Sequence, residues 1–472
     1  MLYAFSGFQL FNIFFNHFQD VTAFFPLLLI AMEELVNQNR RGVFALSVAL
    51  LAIINYFFFT GQVVFLVLYF IVRCFSKDFH ATLRKFFLVL LEAVIGVMIA
   101  CVILLPAALA ILANSRVSEH LFGMDMIAYN DRTRIWRILL SLFMIPDVPS
   151  RPNLFSSDYA KWASIGGYLP MFSMAGAFLK QRDGHWAKRI TVICGICACV
   201  PILNSAFYAL NGSYYARWFY MPILILALMT AYSLDNHQIS WKQGIRICFG
   251  FLAAFGLISL LPTKEDDKIH WFSFAEYPFH FYLVLLISAA GLVLTIYLLR
   301  RRKARKPFLK QALVLTTACC IACTSAVVYF GAFEPFRART YVDQAIDPEQ
   351  EISVSVSEDN FFRIDISEDC DNYPMFWRLP CMRTFHSVVP GSIMNFYKEL
   401  GITRDVASRA DTAYYALRGL LSVEYYYERQ TIGEITTDEP KCSMPGFVYD
   451  TTENGFYRFR NTAYVPMGFT FS

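Results

Sequence analysis

The side chains of this sequence that could do chemistry sit where apolar runs end. Asn204–Tyr220, NSAFYALNGSYYARWFY, holds two Asn, four Tyr, a Gly-Ser turn and an Arg-Trp pair. A guanidinium such as Arg217 forks onto two phosphate oxygens. Asn204, Tyr214 and Trp218 around it would suit the sugar or lipid attached to such a phosphate. The same residues equally form an interfacial aromatic belt, with Arg217 reaching to headgroups. Arg116, after LLPAALAILANS, ends another apolar run and would complete a two-arginine phosphate clamp, unless it is a solvated loop cation. His17 and Asp20 are the titratable pair: Asp20 can take the proton of an attacking hydroxyl, or cap the helix that VTAFFPLLL begins. Asn55 and Tyr56 interrupt the most apolar stretch and are expected to line the same cavity. Glu92 lies about two turns inside its run, where reaching out to the interface is the simpler role.

Other chemistries find no foothold. The sequence has no phosphate-binding glycine loop, no GxSxG, no HExxH and no paired CxxC outside apolar runs. Of twelve Cys, Cys194, Cys197 and Cys199, and likewise Cys319, Cys320 and Cys323, lie within apolar runs as small packing residues. No metal framework and no cofactor is expected, and a divalent-ion requirement stays open. Cys370 and Cys381 could pair as a disulfide if the polar tail that holds them lies outside the cell membrane. The net charge of +4 collects in short loops, which speaks for topology rather than nucleic-acid binding.

The elements that must position these groups are membrane helices. With 56% hydrophobic and 17% charged residues, the chain is a polytopic membrane protein rather than one with a single anchor. Val43–Val72 fixes its orientation. As one helix it would run about 45 Å through a hydrocarbon core of about 30 Å, with basic residues at both ends. Broken near Thr60-Gly61, it becomes a hairpin with both ends cytoplasmic and Asn55-Tyr56 near its outer tip. About eleven membrane segments follow from this reading: 1–15, 20–36, the two arms of 43–72, 86–112, 165–180, 189–210, 217–234, 245–262, 279–299 and 311–332. In the outer loop 113–164, IWRILLSLFMIP reads as an amphipathic interfacial helix. QRDGHWAKR, HQISWKQGIR and RRRKARK fall on the cytoplasmic side and acidic TKEDDK outside, as the positive-inside rule requires. Residues 333–472 differ in character. Alternation in EISVSVS and FFRIDIS, and the turn signal at Thr452–Gly455, indicate a mixed, strand-rich extracytoplasmic domain of α/β or β-rich type.

Several of these stretches resemble a known family. AFSGFQLFN (4–12), HFQDVTAFFPLLLIAMEEL (17–35), NYFFFTGQVVFLVLYFIVR (55–73), LLPAALAILANSR (104–116) and YYARWFYMP (214–222) are similar to the YfhO family of bacterial membrane proteins. In the tail NFFRIDI, FHSVVPGSIMNFYKELG, LRGLLSVEYYY and GFYRFRNTAYVPMGF extend the likeness. That family resembles the GT-C class of glycosyltransferases. The resemblance implies a GT-C-like helical domain over 1–332 in a bacterial cell membrane. It further implies transfer of a sugar from a polyprenyl-phosphate donor to a cell-surface glycopolymer, such as teichoic or lipoteichoic acid, or to a protein. Membrane lipids are the other expected partners. Arg116 and Arg217 would hold the donor phosphate, and Asp20 with His17 would activate the acceptor. Family members normally begin with a further helix and an acidic outer loop and continue past the position of Ser472. The chain is therefore expected to be cut at both ends, with the catalytic acid before Met1 as the alternative to Asp20. A non-catalytic flippase or an assembly scaffold for lipid-linked glycans is the competing reading. A flippase would favour ionisable residues across the bilayer midplane and an internal repeat.

Overall fold

The computed structural model describes residues 1–112, 119–145, 154–155, 169–212, 216–265, 267–304, 308–332, 336–348, 351–358, 360–386, 389–402, 407–408, 410–430 and 439–467. They form two compact units, Met1–Pro106 with Ser118–Ala332, and Ala107–Val117 with Phe333–Ser472.

The first unit is helical. Its opening fifteen residues do not make the expected span. A short helix α1 (Gly7–Phe11) runs into a 3-10 turn, Asn12–Phe14, where the Asn12 side-chain Nδ2 donates back to the Phe8 carbonyl at 2.8 Å. The long helix α2 (Asn16–Gln38) then ends at Asn39 in the left-handed region, φ 55°. The Val43–Val72 stretch is two helices, α3 (Val43–Ile54) and α4 (Tyr56–Cys74). The break falls at Asn55 and not at Thr60-Gly61. Asn55 is extended, and its Oδ1 accepts from the amides of Phe57 at 3.1 Å and Phe58 at 3.3 Å, which satisfies donors at the start of α4. Gly61 stays helical, and its missing side chain admits the Phe207 carbonyl, which a Cβ there would meet at 3.1 Å.

Contacts fix the directions of these helices. Phe18 meets Phe58, Phe25 meets Phe65, and Glu33 meets Arg73, so α2 and α4 run parallel. The next helix, α5 (Leu83–Leu112), folds back along α4, with Phe86 against Phe70. It runs alongside α3: Glu92 accepts from the amides of Gly42 at 2.9 Å and Ala45 at 3.2 Å, while Gly96 packs on Ala45 and Val48. Thus α3 and α4 are antiparallel, a hairpin with its tip at Asn55. Glu92 does not reach out to an interface; it is buried and closes the start of α3.

Beyond α5 comes α6 (Arg134–Phe143), the expected amphipathic helix, with Ile138, Leu140 and Phe143 buried and Ile135 and Trp136 exposed. Then follow α7 (Leu169–Gln181), α8 (Trp186–Cys199), α9 (Pro201–Ser205), α10 (Tyr220–Asp235), α11 (Lys242–Ile258), α12 (Pro278–Lys303) and α13 (Leu309–Ala332). A small hairpin, β1 (Thr263–Glu265) with β2 (Lys268–His270), joins α11 to α12. Among the described residues α4, α5, α12 and α13 are long and apolar enough to cross a membrane. The pair α8–α9 makes a fifth span if its 109° bend is counted as one crossing. This is fewer than the eleven segments expected, because α1, α3, α7, α10 and α11 hold 5, 12, 13, 16 and 17 residues, short of the about 20 that a span needs.

One end of this unit gathers the basic loops. Arg73 lies 4.8 Å from the Trp186 ring, and His185 packs on Phe178 and Tyr232. Gln181 exchanges hydrogen bonds with Ser240, Arg302 covers Trp241 at 4.8 Å, and Arg301 donates to Gln311 at 2.7 Å. The links between α2 and α3, α4 and α5, α7 and α8, α10 and α11, and α12 and α13 therefore lie together.

The second unit contains a four-stranded sheet ordered β3 (Arg363–Ile366), β6 (Val423–Arg429), β8 (Phe456–Asn461), β7 (Phe447–Glu453). Strand β3 is parallel to β6 and the other pairs are antiparallel. A separate pair joins β4 (Thr384–Phe385) to β5 (Ala407–Ser408). Helices α14 (Phe336–Tyr341), α15 (Tyr373–Phe376), α16 (Gly391–Glu399) and α17 (Tyr415–Leu420) surround the strands in sequence. The turn signal is the β7–β8 hairpin: Asn454 at φ 48° and Gly455 at φ 77° are its two central residues, as a type I′ turn requires. FFRIDIS contains β3, but EISVSVS joins no ladder. The Ser353 amide instead donates to the Glu453 carboxylate at 3.1 Å. Asp365 is buried against Arg418, whose guanidinium donates to it twice, at 3.0 and 3.1 Å. Cys370 and Cys381 are separate thiols, not a disulfide.

Candidate functional site

At the end of the first unit opposite the basic loops, two long helices begin beside Arg217. Its guanidinium lies 5.0 Å from the Phe18 ring in the first turn of α2 and 5.6 Å from the Phe57 ring in the first turn of α4. Its backbone amide donates to the Tyr208 hydroxyl at 3.0 Å, and Tyr208 packs on Phe57. Each helix start carries about half a positive charge. Asn55 caps α4, whereas α2 begins at Phe15 without a side-chain cap. Two helix starts and a guanidinium therefore bring positive charge to this end, beside the Asp20 carboxylate.

His17 and Asp20 belong to this locus. The His17 ring meets Phe18 edge-on at 4.4 Å, on the same aromatic side chain that carries Arg217. Asp20 is exposed in the second turn of α2, three residues from His17 and so on the same face. It is inside the helix and does not cap it. Tyr56 opens α4 and is half-buried, and Asn55 spends its Oδ1 on the cap rather than on a cavity wall.

Asn204 and Trp218 are not at a surface. Trp218 stacks flat on Phe207 at 3.8 Å, and its Nε1 donates to Asn204 Oδ1 at 2.8 Å. Asn204 Nδ2 donates to the Tyr129 hydroxyl, which donates to the Ala198 carbonyl at 2.6 Å. Both residues are fully enclosed and hydrogen-bonded, so they hold the Arg217 segment against α8 and α9 instead of lining a cavity. Behind them, Asp131 accepts from the Thr133 amide and hydroxyl and from Arg137. Partial burial raises the Asp131 carboxyl, but those donors outweigh it and leave its pKa below the ordinary value. Arg116 and Tyr214 lie outside the described residues.

Sequence reasoning missed the aromatic shelf of Phe18, Phe57 and Phe58, because phenylalanines in apolar runs look like core. Their one sequence signal was their position beside the interrupting polar residues His17, Asn55 and Tyr56.

Several long apolar helices followed by a mixed α/β unit define a polytopic membrane protein. Comparison with known families sharpens this: the model of the bacterial membrane protein YfhO matches residues 1–472. The chain belongs to the YfhO family. No curated protein and no solved structure matches it.

Proposed function

We infer that the chain transfers a sugar from a polyprenyl-phosphate donor to a glycopolymer or protein at the outer face of the cell membrane, with the locus around Arg217 as donor-phosphate site. The observation that carries this is the meeting of Arg217 with the starts of α2 and α4. A phosphate diester or diphosphate is the ligand for which such a convergence is suited, since helix N-termini and guanidinium both favour phosphate oxygens. A lipid-linked donor arrives through the bilayer, which accounts for a protein with no nucleotide-binding loop in its sequence. Asp20, on the face it shares with His17, is placed to take the proton from an acceptor hydroxyl as that oxygen attacks the sugar carbon and the phosphate leaves. The basic loops at the opposite end support a cytoplasmic placement of that end by the positive-inside rule. The Arg217 locus then faces outward, and residues 333–472 are read as extracytoplasmic.

Expression of the full-length protein in a strain lacking its own copy, with glycan modification of the envelope as readout, tests the reading. Arg217→Ala should abolish modification at normal membrane abundance. Arg217→Lys should restore only a small fraction, because an ammonium keeps the charge but loses the fork. Full modification by Arg217→Ala would refute the phosphate assignment.

A further inference from the structure

The β1–β2 connection between α11 and α12 runs into a turn that presents its apolar side chains outward. Trp271 and Phe272 are 67% and 59% exposed, and Ile269 at the end of β2 is exposed as well. Phe272 stands at φ 62°, in the left-handed region that a bulky side chain rarely occupies. The turn is nonetheless held. Ser273 Oγ donates to the His270 carbonyl at 2.6 Å and meets the Thr263 hydroxyl at 2.6 Å. The residues just beyond point the other way: Ala275 is buried, and Phe274 sets its ring edge-on to Phe155 at 6.0 Å. A fixed backbone therefore displays the two aromatic rings, and a bulky residue kept in a costly conformation is expected where it has a task.

The place of the turn in the fold identifies what covers it. Helix α11 leaves the basic end at Trp241 and α12 returns to that end at Arg302, so the turn lies at the end that holds Arg217. Exposed apolar surface adjoins it on both sides in the chain. Leu257, Leu260 and Leu261 precede it, while Phe279, Leu286 and Val293, seven residues apart, form one exposed stripe along α12. That helix is long and apolar enough to cross a membrane, and a stripe of this kind faces acyl chains. The turn continues the surface at its edge, the level where tryptophan concentrates in membrane proteins. The hairpin supplies the polar counterpart for headgroups: Lys264 pairs with Asp267 at 2.7 Å, and Lys268 is exposed. Two strands of three residues are not stable alone in water, so cover by lipid would also steady the hairpin.

We propose that Ile269, Trp271 and Phe272 form a wedge that enters the lipid leaflet at this end and sets the depth of α11 and α12 in the membrane. The partner is the lipid surface itself. The inference depends neither on which side of the membrane this end faces nor on the phosphate reading of Arg217.

Tryptophan quenching in the full chain, reconstituted into vesicles, tests it, with Trp271→Phe as the reference that keeps a ring in place. The probes are phosphatidylcholine brominated high on its acyl chains, and aqueous iodide. The emission that the wild type has in excess of Trp271→Phe should be lost in brominated vesicles relative to unbrominated ones. Excess emission left intact by brominated lipid overturns the proposal. Iodide then identifies the true surroundings: quenching would place Trp271 in water, and protection would place it under protein, such as a second copy or a soluble partner.

Discussion

Removing the Glu92 side chain should unpin the α3–α4 hairpin while leaving the rest of the first unit folded. Both Glu92 oxygens accept amide hydrogens at the start of α3, from Gly42 and Ala45. Two amide bonds to a carboxylate contribute about 1.5–3 kcal/mol each, and a negative group at a helix start adds about 0.3–1 kcal/mol. The desolvation of a buried carboxylate offsets part of that sum. A net loss of roughly 2–4 kcal/mol on Glu92→Ala is then expected, or a fall in Tm of about 4–8 °C for a large cooperative unit. Glu92→Gln keeps one acceptor and should lose about half as much. An independent break of the same contact is Gly96→Ala, whose Cβ would come within 2.5 Å of the Ala45 carbonyl and 2.7 Å of Val48. It should destabilise by about 1–3 kcal/mol. The double variant Glu92→Ala/Gly96→Ala should fall short of the sum of the singles, because both act on one interface. The assay is thermal unfolding in detergent, with a cysteine at the exposed Ile53 reporting the tip of the hairpin. Wild-type Tm and unchanged labelling at position 53 in Glu92→Ala would refute this account.

Three further outcomes follow from contacts already described. Asn55→Ala removes the cap of α4 and should lower stability by about 1 kcal/mol, with Asn55→Asp close to wild type; equal loss from both would show that the cap does not matter. The depressed Asp131 pKa stabilises the fold at and above the ordinary carboxyl value of about 4, and that contribution is lost as pH falls through the lower folded value. Protease access to α6 should accordingly rise only below about pH 4, and a rise between pH 5 and 7 would contradict the assignment. For sidedness, a cysteine at the exposed Met124 should react with an impermeant reagent from outside and one at Lys303 only after permeabilisation; external labelling at 303 would invert the proposed orientation.

How far the sequence revealed the fold depended on whether a signal was local. The β7–β8 turn was legible because Asn454-Gly455 satisfies its own geometry. The hairpin was legible from length and flanking charge, yet its tip lay five residues off. A capping asparagine competes better for a helix start than a glycine that helps two backbones approach. Glu92 was misread because its partners lie fifty residues away in chain order. Within the site, Arg217, His17 and Asp20 stood out as polar groups in apolar surroundings, and the fold brings their backbones to one end. Asn204 and Trp218 stood out for the same reason but serve the interior, a distinction that only their mutual hydrogen bond reveals.

The seam between α2 and α4 has an uneven grain. Its three rungs join residues at a constant separation: Phe18 with Phe58, Phe25 with Phe65, and Glu33 with Arg73. The rung at the basic end is an ion pair reinforced by the Tyr69 hydroxyl, with directional bonds that fix angle and spacing. The two rungs nearer Arg217 are edge-to-face rings, which slide over one another at little expense. The pair is built like a clothes-peg, riveted at one end and free to part at the other. The end of the seam that parts most readily is thus the end beside Arg217, away from the basic loops.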